Sequence, residues 1–221
     1  MLLSFYGVKM MFSIRFVKAM WRRGSIEAAG TFAMVFVGCG SVAVERSSLE
    51  ISLAFGAIVA LVIIAIGRWS GAHINPAVSI AFWFRGNLSS RDTIAHVVGQ
   101  LAGALCAGFM LNGAGPTVRN TSWINLIGIE ILITFLLMAS ILWIIRQTEQ
   151  WIPIAIVVGA TVALLAFLFG QYTGASMNPA RTFGPNLVSG DVSIIPVYFV
   201  CTILGAWLAV LAERFIPATS E

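Results

Sequence analysis

The 221-residue chain is 59% hydrophobic and only 10% charged, with a net charge of +4 and a mean hydropathy of +0.93. A soluble domain carries about 25% charged residues, so a water-soluble globular fold is excluded, and a charge this small calls for no nucleic-acid partner. Cys39, Cys106 and Cys201 lie inside apolar runs without metal-ligand spacing, which leaves no disulfide framework, no redox pair, no metal site and no cofactor to expect.

The chain opens with "MLLSFYGVKMMFSIRFVKAMWRR", residues 1–23, in which Lys9, Arg15, Lys18, Arg22 and Arg23 interrupt the apolar positions. That pattern is not a cleaved signal peptide; it predicts a basic amphipathic segment lying at a membrane surface. Long apolar runs follow at about 25–44, 51–67, 92–112, 123–145, 152–170 and 193–212. Each is long enough to cross a bilayer, and a segment in hydrocarbon must bond its own backbone, so each is read as a helix.

Two shorter apolar stretches, 75–84 and 178–188, open with Asn75-Pro76 and Asn178-Pro179. Asn is a favoured N-cap and Pro a favoured first helical residue. Neither stretch can span roughly 30 Å of hydrocarbon, so both read as half-helices that enter the membrane and stop.

Ten of the 13 Lys and Arg fall on one side if both termini are placed together: the five N-terminal ones, Arg68, Arg85, Arg91, Arg146 and Arg214. Arg46, Arg119 and Arg181 fall on the other. The basic side is expected to be cytoplasmic, facing anionic lipid.

"GAHINPAV" (71–78) matches "GASMNPAR" (174–181) at an offset of 103 residues. The same register pairs Glu27 with Glu130, Thr31-Phe32 with Thr134-Phe135, and "GAIVAL" (56–61) with "GATVAL" (159–164). One ungapped register over such a length identifies an internal repeat, 24–120 and 121–215, with a tail at 216–221. Three spans per copy is an odd number, so the second copy is inserted upside down. Such repeats place their site at the interface, near the midplane.

Paired Asn-Pro-Ala motifs, an Arg after the second, six spans, and a Glu in the first span of each half resemble the aquaporin (major intrinsic protein) family over about residues 24–214. The resemblance implies an all-α membrane protein of six transmembrane helices plus two re-entrant half-helices, a right-handed bundle assembled as a homotetramer. It implies a passive channel in a plasma or bacterial inner membrane rather than an enzyme. Asn75 and Asn178 would turn amide hydrogens into the pore. The carbonyls of Gly71, Ala72, His73 and Ile74, and of Gly174, Ala175, Ser176 and Met177, would line it as acceptors. Two converging positive helix ends would repel cations.

The resemblance also carries a constriction of four positions onto Phe55, Ala166, Ala175 and Arg181; a one-residue shift in the fifth span would substitute Leu165 or Phe167. Strict water channels of the family have His where Ala166 stands, and glycerol channels an aromatic where Ala175 stands. A ring, two alanines and an arginine are similar to the nodulin-like branch, whose solutes include glycerol, urea and undissociated metalloid acids such as boric or arsenous acid. A strict water channel is the alternative. Glu27 and Glu130 admit two roles, holding the re-entrant loops through backbone N–H groups or carrying protons in a coupled transporter. His96, inside the third span, reads as a packed, hydrogen-bonded histidine.

Overall fold

The computed structural model describes residues 2–215, with side chains from Lys18 onward. The expected tail 216–221 lies outside the described residues. Eight helices follow one another: α1 (Leu2–Ala43), α2 (Ser48–Ser70), α3 (Pro76–Arg85), α4 (Ser90–Met110), α5 (Trp123–Gln147), α6 (Trp151–Thr173), α7 (Pro179–Ser189) and α8 (Ile195–Glu213). No strand occurs among the described residues. Six helices are long and apolar enough to span a membrane, the first of them from Lys18 to Ala43.

The sequence marks most helix starts locally. Ser47 closes a capping box with Glu50, and Ser89, Ser122, Asn75 and Asn178 each accept a hydrogen bond from the first turn of their helix. These side chains satisfy N–H groups that have no partner within the helix. The start of the first span differs from expectation. α1 runs without interruption past residue 23, so the basic segment is continuous with the span and forms no separate surface helix. Nothing between Lys18 and Gly24 (no Pro, no capping residue) could stop it.

Packing follows the repeat. α1 lies on α4 as α5 lies on α8; α3 packs on α8 as α7 packs on α4; α2 meets its own counterpart α6. Exchanging the first four helices for the last four leaves this pattern unchanged. Lipid supplies no hydrophobic drive between helices, so close backbone approach must hold them. A Cβ on Gly103 would lie 2.1 Å from the Ala28 carbonyl oxygen, and one on Gly205 2.4 Å from that of Ile131. The two half-helices meet at their N-terminal ends, where Asn75 bonds Met177 O and Asn178 bonds Ile74 O.

Candidate functional site: a lumen between two half-helix tips

Each re-entrant loop begins where a span ends in glycine. Gly71 (φ +91°) and Gly174 (φ +71°) adopt the left-handed conformation, their N–H groups bonded to Gly67 and Gly170 carbonyls at 2.8 Å. Ala72, Ile74, Ala175 and Met177 also have positive φ, between 41° and 52°. Such backbone is unfavourable for side-chain-bearing residues, above all β-branched Ile74, and persists only where its surroundings hold it.

Two buried carboxylates do so. Glu27 Oε1 accepts from His73 N (3.0 Å) and Oε2 from Ile74 N (2.6 Å). Glu130 Oε1 accepts from Ser176 N and Oε2 from Met177 N, both at 3.0 Å. Ser70 and Thr173 hydroxyls donate to the same carboxylates at 2.7 Å and accept from Ala72 N and Ala175 N at 3.2 Å. A planar trans peptide points its C=O opposite to its N–H. Tying these amides to a carboxylate therefore turns the carbonyls of Ala72, His73, Ala175 and Ser176 away from it. Gln100 Nε2 adds a bond to Glu27 Oε2 at 2.8 Å.

The half-helix tips interlock. Asn75 Oδ1 caps Ala77 N while its Nδ2 donates to Met177 O at 2.8 Å; Asn178 Oδ1 caps Ala180 N while its Nδ2 donates to Ile74 O at 2.8 Å. Each amide thus spends one of its two hydrogens on the opposite loop, and Asn178 Nδ2 also donates to Met34 Sδ at 3.6 Å. Pro76 and Pro179 occupy the first helical positions behind the two caps.

A cavity of about 760 Å³ passes both asparagines. Its wall follows α2 from Ser48 to Arg68, about 30 Å at 1.5 Å per residue. Residues 71–74 and 174–177 line it, as do Phe55, Ala166 and Arg181. Phe167 instead points outward, 47% exposed, and Leu165 is buried in the core. Arg181, in the first turn of α7, is nearly fully buried; its Nη1 donates to Gly115 O (3.1 Å) and Thr117 Oγ1 (2.9 Å), and its guanidinium carbon lies 5.3 Å from the Phe55 ring centre.

A family profile described as Major intrinsic protein matches residues 13–213. The chain belongs to the major intrinsic protein family. It is 35% identical over 210 residues to Aquaporin NIP1-1 of Zea mays, covering 88% of this chain and 74% of that one. It is 32% identical over 226 residues to Aquaporin NIP1-3 of Oryza sativa subsp. japonica, covering 96% and 78%. Aquaporin AqpM of Methanothermobacter thermautotrophicus is 32% identical over 246 residues, covering 90% and 98%. Among solved structures, the aquaglyceroporin from Plasmodium falciparum superposes with a TM-score of 0.82 at 22% identity, covering 89% of this chain and 96% of that one, a likeness of fold. As a major intrinsic protein the chain is an integral membrane channel of the aquaporin type and not an enzyme.

Several residues around this lumen carry no motif. Met34 of α1 places its sulfur 3.6 Å from Asn178 Nδ2. Thr117, Gly115 and Asn186 surround Arg181 from a loop and from α7; the only sequence signal is that polar residues stand between apolar spans. His96 is fully buried, its ring 5.1 Å from that of His73. Contrary to the sequence reading, neither of its ring nitrogens has a hydrogen-bond partner among the described residues.

Proposed function

We propose that this channel passes water and small uncharged solutes, namely glycerol, urea and undissociated acids such as boric or arsenous acid, while excluding ions and protons. The observation that carries the reading is the single cavity that joins Phe55, Ala166, Ala175 and Arg181 to both capping asparagines along the length of α2. Two alanines where bulkier side chains would narrow the lumen leave room for a three-carbon polyol. Similarity to NIP-type aquaporins supports the same branch.

A solute in this lumen meets backbone carbonyls of residues 71–74 and 174–177 as acceptors, and amide hydrogens of Asn75 and Asn178 as donors between them. A neutral molecule exchanges its water contacts for these at little cost. A cation meets two converging helix N-termini, each worth about half a positive charge, and the Arg181 guanidinium as well. Its desolvation is not offset. A water at the centre accepts from the asparagines and so turns both hydrogens outward, which interrupts a proton wire.

The basic face supports an orientation with both termini on the cytoplasmic side of a cell membrane, and the apolar residues exposed on the outer faces of the spans suit lipid and the neighbours of a homotetramer. Glu27 and Glu130 act as loop anchors: both are fully buried, and each accepts two backbone N–H groups of the loop it holds. Proteoliposomes carrying the protein test the reading by stopped-flow light scattering. They should reswell in inward gradients of glycerol, urea and boric acid, with no proton current. Water flux without solute flux would reduce the protein to a strict water channel, and uptake that needs a proton gradient would make it a coupled transporter.

A further inference from the structure

The loop between α4 and α5 lies across the Ser48 end of the cavity, where Pro116 and Val118 form part of the wall. Thr117 between them is fully buried and does not line the cavity. One side chain grips its backbone from both sides. Thr117 N donates to Asn186 Oδ1 at 2.9 Å, and Asn186 Nδ2 donates to Thr117 O at 2.9 Å. The carboxamide pairs with this residue as a neighbouring β-strand would. Thr117 Oγ1 accepts from Arg181 Nη1 at 2.9 Å and lies 3.1 Å from Thr182 Oγ1. Arg181 and Asn186 both belong to α7, so the chain of contacts closes on itself: α7, Asn186, Thr117, Arg181, α7. On its far side the loop is pressed against α1, where a Cβ on Gly115 would stand 2.3 Å from the Cys39 carbonyl oxygen.

Arg181 reaches the loop through one nitrogen only, shared between Gly115 O and Thr117 Oγ1. Where Thr117 sits therefore decides how far the guanidinium stands from the opposite wall, 5.3 Å from the Phe55 ring centre. We infer that Asn186 is a positioning residue for the constriction: acting through Thr117, it holds Arg181 against the wall and so sets the cut-off between water and larger neutral solutes. The inference rests on the placement of the constriction at Phe55, Ala166, Ala175 and Arg181. Neither Asn186 nor Thr117 touches solute. Released from Thr117, the guanidinium keeps only Gly115 O and the cation–π contact it already makes with the Phe55 ring, and leans further across the lumen toward that face.

Stopped-flow water and glycerol permeabilities of Asn186→Ala, Thr117→Val, Thr117→Ser and Arg181→Ala in proteoliposomes test this. The glycerol-to-water ratio should fall about threefold or more in Asn186→Ala and Thr117→Val, the population change that losing one or two hydrogen bonds allows. Thr117→Ser keeps the oxygen and should keep the wild-type ratio, which a merely structural role would not distinguish from Thr117→Val. If Arg181→Ala moves the ratio while inserted Asn186→Ala and Thr117→Val leave it unchanged, the positioning role is overturned and the constriction stands. If Arg181→Ala also leaves it unchanged, the placement of the constriction fails and takes the inference with it. Should Asn186→Ala not insert, equal ratios in Thr117→Val and Thr117→Ser overturn the inference without it.

Discussion

Gly56 and Gly159, 103 positions apart in the sequence, face each other across the axis that relates the two halves. A Cβ on Gly56 would lie 2.5 Å from the Gly159 carbonyl oxygen, and one on Gly159 2.6 Å from that of Gly56. The clash is with backbone, which cannot rotate away as a side chain would. Gly56→Ala should therefore push α2 from α6 and destabilise the fold by about 1–3 kcal/mol, with Gly159→Ala doing the same for the same reason. Thermal unfolding in detergent checks this; wild-type midpoints for both variants would mean that the two helices do not approach this closely.

Much of the fold is legible in the sequence because its signals are local. Long apolar runs give six spans, and Asn-Pro gives two helix starts, since a cap acts on the turn beside it. The inverted pairing of the halves follows from a repeat visible at one offset. What the sequence does not show depends on contacts between distant segments. Gln100 reaches Glu27 across 73 residues, and Thr117 reaches Asn186 across 69, with no motif at either end. The crossed bonds from Asn75 to Met177 and from Asn178 to Ile74 are likewise a product of two tips meeting. α1 runs through its basic start for the opposite reason: charge alone does not end a helix, and no breaker is present.

Ala166 lines the same cavity as the Phe55 ring and the Arg181 guanidinium, so a larger side chain there should narrow it. Ala166→His should lower glycerol and urea permeability at least tenfold while changing that of water by less than threefold, because an imidazole excludes by size and still donates to water (tenfold corresponds to about 1.4 kcal/mol of added barrier). Ala166→Trp should suppress all three. Parallel stopped-flow traces on liposomes with matched protein content decide it; unaltered glycerol flux in Ala166→His would place the side chain outside the aperture.

Glu130→Gln separates a structural carboxylate from a proton carrier. One oxygen of the amide still accepts from Ser176 N, but its NH2 group would face the Met177 N–H, donor against donor. A buried unsatisfied N–H costs about 1–3 kcal/mol, so the variant should melt earlier and conduct water more slowly in proportion to its folded fraction. Flux in wild type and variant alike should ignore a protonophore. Loss of wild-type solute uptake on collapsing a proton gradient would reverse this assignment.

Arg85 and Glu213 hold the other end of the first half-helix. Arg85 closes α3 and donates from Nε and Nη2 to Glu213 Oε2 and Oε1 at 2.6 and 2.8 Å, a bidentate pair of the stronger kind. Both side chains are partly screened from solvent, 25% and 14% exposed, so the pair outweighs an ordinary surface ion pair without reaching the cost of breaking a fully buried one. Glu213→Gln should lower stability by about 1–2 kcal/mol, and the reversed pair Arg85→Glu with Glu213→Arg should recover part of it. The glycerol-to-water ratio should stay at its wild-type value throughout, because the tip of α3 is fixed separately by Glu27 and Asn178. A ratio that moved with Glu213→Gln would show instead that the whole half-helix shifts as one lever, and that the constriction is set from both ends of the bundle.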